Sequence, residues 1–283
     1  LSCSSAASDV YKRQIIPTRT TLEGGGFKVR RPAAMGSLMS PFLLLDEMGP
    51  TDYGPGEAVG APWHPHRGFE TVTYLLAGEM EHEDSVGSKG TLSPGDVQWM
   101  TAGKGIIHSE MPTSKMIAKG GLIHGFQIWV NLLAKDKMIE PRYQEISSND
   151  SNIAENEGVW ARVIAGECLG VESSIDTMIP ITMIHVKMDK GSKLEKSLQD
   201  DLNCMIYVFK GSIDIGWMTV DDGSLALLSK GSIIEVKARE ESEYLILAGP
   251  EINEPIARYG PFVMNTQQEI RQAIDDYNRG RLA

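Results

Sequence analysis

Apolar and polar positions along this chain form short strand-like runs, cut at close intervals by glycine and proline. Phe42–Leu45, Thr71–Leu76 and Gly125–Val130 have the length and composition of strands. Turn signals lie between them at Gly24-Gly25-Gly26, Gly54-Pro55-Gly56 and Ser93-Pro94-Gly95-Asp96. The polar stretch Ser147–Asn152 has linker composition, and the pattern resumes at Val159–Ile164, Thr182–Val186, Met205–Phe209 and Tyr244–Leu247. Many short strands with regular turns predict an all-β chain built from antiparallel barrels or sandwiches. One helix is predicted near the C-terminus. Thr266-Gln267-Gln268-Glu269 is a capping box, Ile270, Ala273, Ile274 and Tyr277 make an apolar stripe, and Gly280 is a stop signal. This helix is expected to pack on a barrel.

The two halves read as a diverged repeat. Tyr74-Leu75-Leu76-Ala77-Gly78 matches Tyr207-Val208-Phe209-Lys210-Gly211, and Leu92-Ser93-Pro94-Gly95-Asp96 matches Leu228-Ser229-Lys230-Gly231-Ser232. The expected organisation is a non-native or disordered segment 1–14, an N-terminal metal-binding domain 15–145, a linker 146–157, a metal-free C-terminal domain 158–250 and a helix-bearing segment 251–283. The first of these is small and polar, has no initiator Met and resembles translated adapter sequence, so it is set aside from the fold.

A length of 283 residues accommodates one large core or two smaller ones. The formal net charge of -11 argues against direct binding to nucleic acid or to an anionic membrane. No apolar run is long enough to span a bilayer. The three cysteines, Cys3, Cys168 and Cys204, form no CxxC pair, which points to a reducing compartment: the cytoplasm, with the nucleus added in a eukaryote. Cys168 and Cys204 are expected to be buried and inert.

The chemistry concentrates in His64-Pro65-His66 and His108-Ser109-Glu110. In each, residues two apart share one face of a strand. Two such strands facing one another would offer three imidazoles and a carboxylate to one point, a donor set suited to a catalytic first-row metal. Parity counted along the strand also turns Glu70 the same way as His64 and His66, so Glu70 and Glu110 both remain candidates for the fourth ligand. Applying the first half's spacings from Gly211 and Gly231 lands on Ser197, Gln199 and Tyr244, which is no ligand set. The second half is therefore expected to keep the barrel without a metal.

The spacing of Gly60, His64, His66, Glu70 and Gly78, followed by Gly95, Gly103 and His108, is similar to the two motifs of the cupin superfamily, with Thr101 where many cupins have proline. Within it, the chain resembles the pirin family. The resemblance rests on His64–Thr71, Pro94–Gly105, His108–Pro112 and Gln127–Asn131, with further likeness at Phe42–Glu47 and Gly260–Thr266. It covers nearly all of the chain after Gln14 and implies a bicupin of two antiparallel β-barrels. It implies one divalent metal, usually iron, held by His64, His66, His108 and Glu110. Mn, Co or Ni are also compatible with these donors.

The activity implied is that of a quercetin 2,3-dioxygenase: ring cleavage of a flavonol-like aromatic substrate by dioxygen, with Glu110 as ligand and base. The alternative it implies is an iron-binding regulatory protein, a transcription cofactor or a partner of a metabolic enzyme, without physiological catalysis. Trp99, Met100, Phe126 and Trp129 are candidate pocket residues, although such side chains more often form barrel core. Glu70 and His124 are candidates to support the ligands. His82, in the acidic run Glu81–Asp84, and the run Arg239–Glu243 are both read as solvated.

Overall fold

The computed structural model describes residues 12–34, 36–150 and 152–283. Of the segment 1–14, residues 1–11 lie outside the described residues, while Lys12–Gln14 open the first strand. In chain order the first elements are β1 (Lys12–Glu23), β2 (Phe27–Pro32), β3 (Phe42–Tyr53), β4 (Ala61–His66), β5 (Phe69–Ala77) and β6 (Met80–Asp84). Next come β7 (Lys89–Leu92), β8 (Val97–Thr101), β9 (Ile106–Pro112), α1 (Ser114–Lys119), β10 (Gly121–Asn131) and β11 (Arg142–Ile146). Then follow β12 (Ile153–Asn156), β13 (Val159–Ala165), β14 (Glu167–Cys168), β15 (Val171–Glu172), β16 (Thr182–Met188) and β17 (Lys193–Ser197). After them come β18 (Asn203–Lys210), β19 (Ser212–Ile215), β20 (Met218–Asp221), β21 (Ser224–Leu228), β22 (Ile233–Ala238) and β23 (Ser242–Gly249). The last are β24 (Ala257–Tyr259), β25 (Phe262–Met264) and α2 (Gln267–Asn278). All seven apolar runs read as strands lie in strands. β12 falls within the stretch read as linker.

Two compact units result, each discontinuous in sequence. The first takes residues 20–31, 42–149 and 252–283; the second takes 32–41, 150–251 and the described residues up to 19. In the first, one sheet runs β11-β8-β5-β10-β3-β2 and a second runs β4-β9-β6-β7. In the second unit the orders are β21-β18-β23-β16-β13-β12 and β17-β22-β19-β20. Pairing is antiparallel throughout these sheets. The all-β, two-cupin architecture read from the sequence holds, but the sheets do not close into hydrogen-bonded barrels. Each unit is a two-sheet sandwich.

Burial follows the local pattern. β5 lies between β8 and β10 and is buried along nearly all its length, as suits its run of aromatic and β-branched residues. β22 alternates: Ile234, Val236 and Ala238 point in, Glu235 and Lys237 out. The second unit's core draws on both its sheets, with Val163, Ile184, Ile206, Val220, Ile234 and Ile246 all buried. Cys168 and Cys204 are buried free thiols, and burial pushes them up to about 11 and about 12, which leaves them protonated and unreactive.

The run Arg239–Glu243 is solvated only in part. Arg239, Glu240 and Glu241 are exposed. Ser242 and Glu243 begin β23, where Ser242 is buried and Glu243 accepts from His185 at 3.2 Å. A strand start takes its first residues out of solvent even when composition reads as polar. The capping box at α2 is present. Glu269 N donates to Thr266 Oγ1, and Thr266 N donates to Glu269 Oε2 at 2.8 Å. Ile270 and Ala273 pack with Phe262, Met264 and Leu282 in the first unit. Among the described residues, no helix is long and apolar enough to cross a membrane.

Candidate metal centre

β4 and β9 pair so that His64 lies directly opposite His108, with His66 opposite Ile106. Because residues paired across antiparallel strands share a face, this register brings all three imidazoles together. Ring centroids are 4.7 Å apart for His64–His66, 4.4 Å for His64–His108 and 5.0 Å for His66–His108. One nitrogen from each lies within 4.8 Å of the others.

The rings suit a cation. His64 Nδ1 is 2.8 Å from the Pro62 carbonyl, which can only accept, so the proton sits on Nδ1 and Nε2 carries a free lone pair. That Nε2 is 3.0 Å from His66 Nε2. His66 Nδ1 and both nitrogens of His108 are buried without a hydrogen-bond partner. Burial, and then the neighbouring His108 and His64, hold His66 well below the usual histidine range. Burial pushes His108 down to about 4, against the pull of Glu110. His66 and His108 are therefore neutral at pH 7, the state that ligation requires. Buried imidazoles left unpaired are costly, and a shared metal ion would offset that cost.

A buried clasp holds the turn after His66. Gly68 adopts φ +89°, and a Cβ there would meet the Val263 carbonyl at 2.1 Å, so only glycine fits this reversal. Arg67 donates to the Lys104 carbonyl and to Asp276 Oδ2 at 2.8 Å, reaching α2. Lys137, fully buried, donates to Gly68 O at 2.7 Å, Asn131 Oδ1 at 2.6 Å and Val263 O at 3.1 Å. Burial lowers its pKa to about 8.

Of the other expected site residues, Glu110 lies with the histidines on the smaller sheet and the rest are spread over both faces of the larger one. Glu110 follows His108 by two residues on β9 and accepts from Thr73 Oγ1 at 2.9 Å; its oxygens lie outside the three-histidine cluster. Glu70 is buried and accepts from Thr101 Oγ1 at 2.6 Å. It lies three residues from Thr73 on β5, hence on the opposite face. Met100 pairs with Thr71 on the face that carries Thr73 and packs on Ile106. Trp129 meets His66 edge-on at 5.5 Å. Trp99 and Phe126 pair with Val72 and Tyr74 and are buried on the other face. His124 sits against Glu47 at 2.9 Å.

A cavity adjoins Glu110. Its wall includes Thr73, Gln127, His82, Tyr53, Met80 and Ile123. Neither the three imidazoles nor Glu70, Trp99, Met100, His124, Phe126 and Trp129 line it. Glu110 thus stands between the histidines and the cavity. His82 is not solvated but 4% exposed. In β6 the alternation turns Glu81 and Glu83 outward and His82 and Asp84 inward. The period-two signal was present in the sequence, masked by the acidic composition of the run. Thr73 and Gln127 left no comparable signal.

Two cupin sandwiches in one chain define a bicupin; among the described residues the histidine cluster lies in the first. The family profile described as Pirin matches residues 26–130, and that described as Pirin C-terminal cupin domain matches residues 183–283. The chain belongs to the pirin family. It is 40% identical to pirin from Homo sapiens over 93% of this chain and 91% of that protein. A crystal structure of quercetin 2,3-dioxygenase from Acinetobacter baumannii superposes with a TM-score of 0.92 at 36% identity, covering 98% of this chain and 99% of that one. A bacterial pirin from Escherichia coli, solved in complex with nickel(II), shares the fold at a TM-score of 0.64 and 21% identity, over 84% of this chain and 99% of that one.

Proposed function

We propose that this chain is a metal-dependent dioxygenase, with Fe(II) the working metal, that opens the ring of a flavonol such as quercetin. The observation that carries this reading is the convergence of three imidazoles, those of His66 and His108 buried, beside Glu110, whose carboxylate also walls an adjoining cavity. Similarity to the Acinetobacter baumannii quercetin 2,3-dioxygenase supports the substrate class.

His64, His66 and His108 would hold the metal, and Glu110 would be the fourth donor. When bound, a divalent ion supplies Lewis acidity toward a substrate hydroxyl and positions for dioxygen. Glu110 takes the hydroxyl proton, and Thr73 Oγ1, which donates to it, fixes the carboxylate's orientation. The apolar side chains Met80 and Ile123 keep water from the substrate's ring. The buried, protonated thiols accord with work in a reducing compartment such as the cytoplasm.

The test is anaerobic Fe(II) loading, then dioxygen uptake with quercetin, with metal content measured on the same sample. Stoichiometric iron with uptake and ring-opened product is expected. One observation favours a second reading, that of an iron-binding regulatory protein acting through a protein partner: none of the three imidazoles lies on the cavity wall. Stoichiometric iron with no uptake across flavonols and catechols would select it.

A further inference from the structure

His82 and Glu110 lie directly opposite one another on β6 and β9, so both side chains occupy one face, and both line the cavity. Outside the three-histidine cluster, the half-buried His124 and the buried His185 have partners. His124 is 2.9 Å from Glu47 Oε1, and His185 is 3.2 Å from Glu243 Oε2. His82 differs. Like His185 it is buried, yet neither ring nitrogen has a hydrogen-bond partner. The nearest charged atom, Glu145 Oε1, lies 3.4 Å from Nε2 without hydrogen-bond alignment.

Leaving a buried polar side chain unpaired is costly. The fold nevertheless makes room for this one. Gly90 lies opposite His82 on β7, and a Cβ there would come within 2.2 Å of Nε2. The Tyr143 ring stacks against the imidazole at 5.8 Å and 27°, which fixes its plane. A ring held in place with its donor unpaired, on the wall of a cavity, is arranged for a guest.

We propose that His82 is a substrate-binding residue, whose imidazole donates a hydrogen bond to an oxygen of a planar phenolic molecule seated in the cavity beside Glu110. The choice of ligand rests on the dioxygenase reading. Met80, Leu92 and Ile123 offer apolar contact to the ring system, and Glu110 and His82 mark the end that takes its oxygens.

The experiment is an anaerobic titration of the metal-loaded full chain with quercetin, followed by its absorbance, for wild type, H82L and H82N. Metal content and Tm are recorded for each. H82L is expected to keep its metal and its Tm and to bind quercetin about 5–15-fold more weakly, the loss of one hydrogen bond. H82N keeps a donor and is expected to recover part of that affinity. In turnover the loss appears in KM more than in kcat. Equal affinity of wild type and H82L, or no binding of quercetin by wild type, overturns the proposal. Binding that weakens in H82L while no variant consumes dioxygen supports the proposal and removes the dioxygenase reading.

Discussion

The two units share one architecture and differ in what fills it. Across the smaller sheet of the first unit run two polar rows, His64–His108–Asp84 and Glu110–His82, with Thr73 meeting Glu110 from the larger sheet. In the second unit the corresponding interior is aliphatic: Val163, Ile184 and Ile246 from one sheet meet Val220 and Ile234 from the other. Tyr244, reached by the same spacing as His108, is buried there with its hydroxyl on Met188 Sδ at 3.0 Å. Where one sandwich sets buried imidazoles between its sheets, the other fills the corresponding place with close-packed apolar side chains.

The largest expected effect breaks the first unit's side of this contrast. H66A or H108A should abolish stoichiometric metal, measured by elemental analysis, with the second unit still folded. Next is the second unit's core. I246A should lower stability by about 2–5 kcal/mol in denaturant unfolding, whereas H82L, which removes an unpaired polar group, should cost little. A midsize effect is expected at the clasp: D276A leaves Arg67 buried with less to bind and should cost about 1–3 kcal/mol and weaken metal retention.

The fourth ligand is a finer test. E110Q should lower metal affinity about tenfold or more, while E70Q should keep most of the metal; the reverse result would exchange their roles.

The smallest effect is acid sensitivity in the second unit. The His185 hydrogen bond, against burial and aided by Lys187, holds Glu243 down to about 2 from its ordinary 4.5. A depressed carboxylate stabilises the fold above its unfolded pKa and loses that contribution as pH falls through the folded value. Tm should therefore fall between about pH 4.5 and 2, and E243Q should remove on the order of 1 kcal/mol of that dependence.

The strands and the histidine cluster were legible because both depend on a local period of two. His64, His66 and His108 needed only that period and a pairing of β4 with β9. At Glu70 that local period fails. The reversal at Gly68 resets the alternation that runs from His64 and His66, so Glu70 faces Thr101. Trp99 and Phe126 were legible as buried but not as to face, because both faces of β5, β8 and β10 are covered. Nothing local in the sequence announced the clasp either: Arg67 and Asp276 are 209 residues apart.

That clasp has a consequence for the order of events in synthesis. The chain emerges from its N-terminus, and segments fold as they become available. The strands bearing His64, His66 and His108 are complete long before Val263 and Asp276 exist. Until those arrive, Arg67 and Lys137 lack partners that hold the turn behind His66. A ribosome-held chain stalled before β25 should present all three histidines yet retain metal poorly, and loading should become durable once β25 and α2 have emerged. A later-made stretch of the chain thus acts as the latch on chemistry made before it.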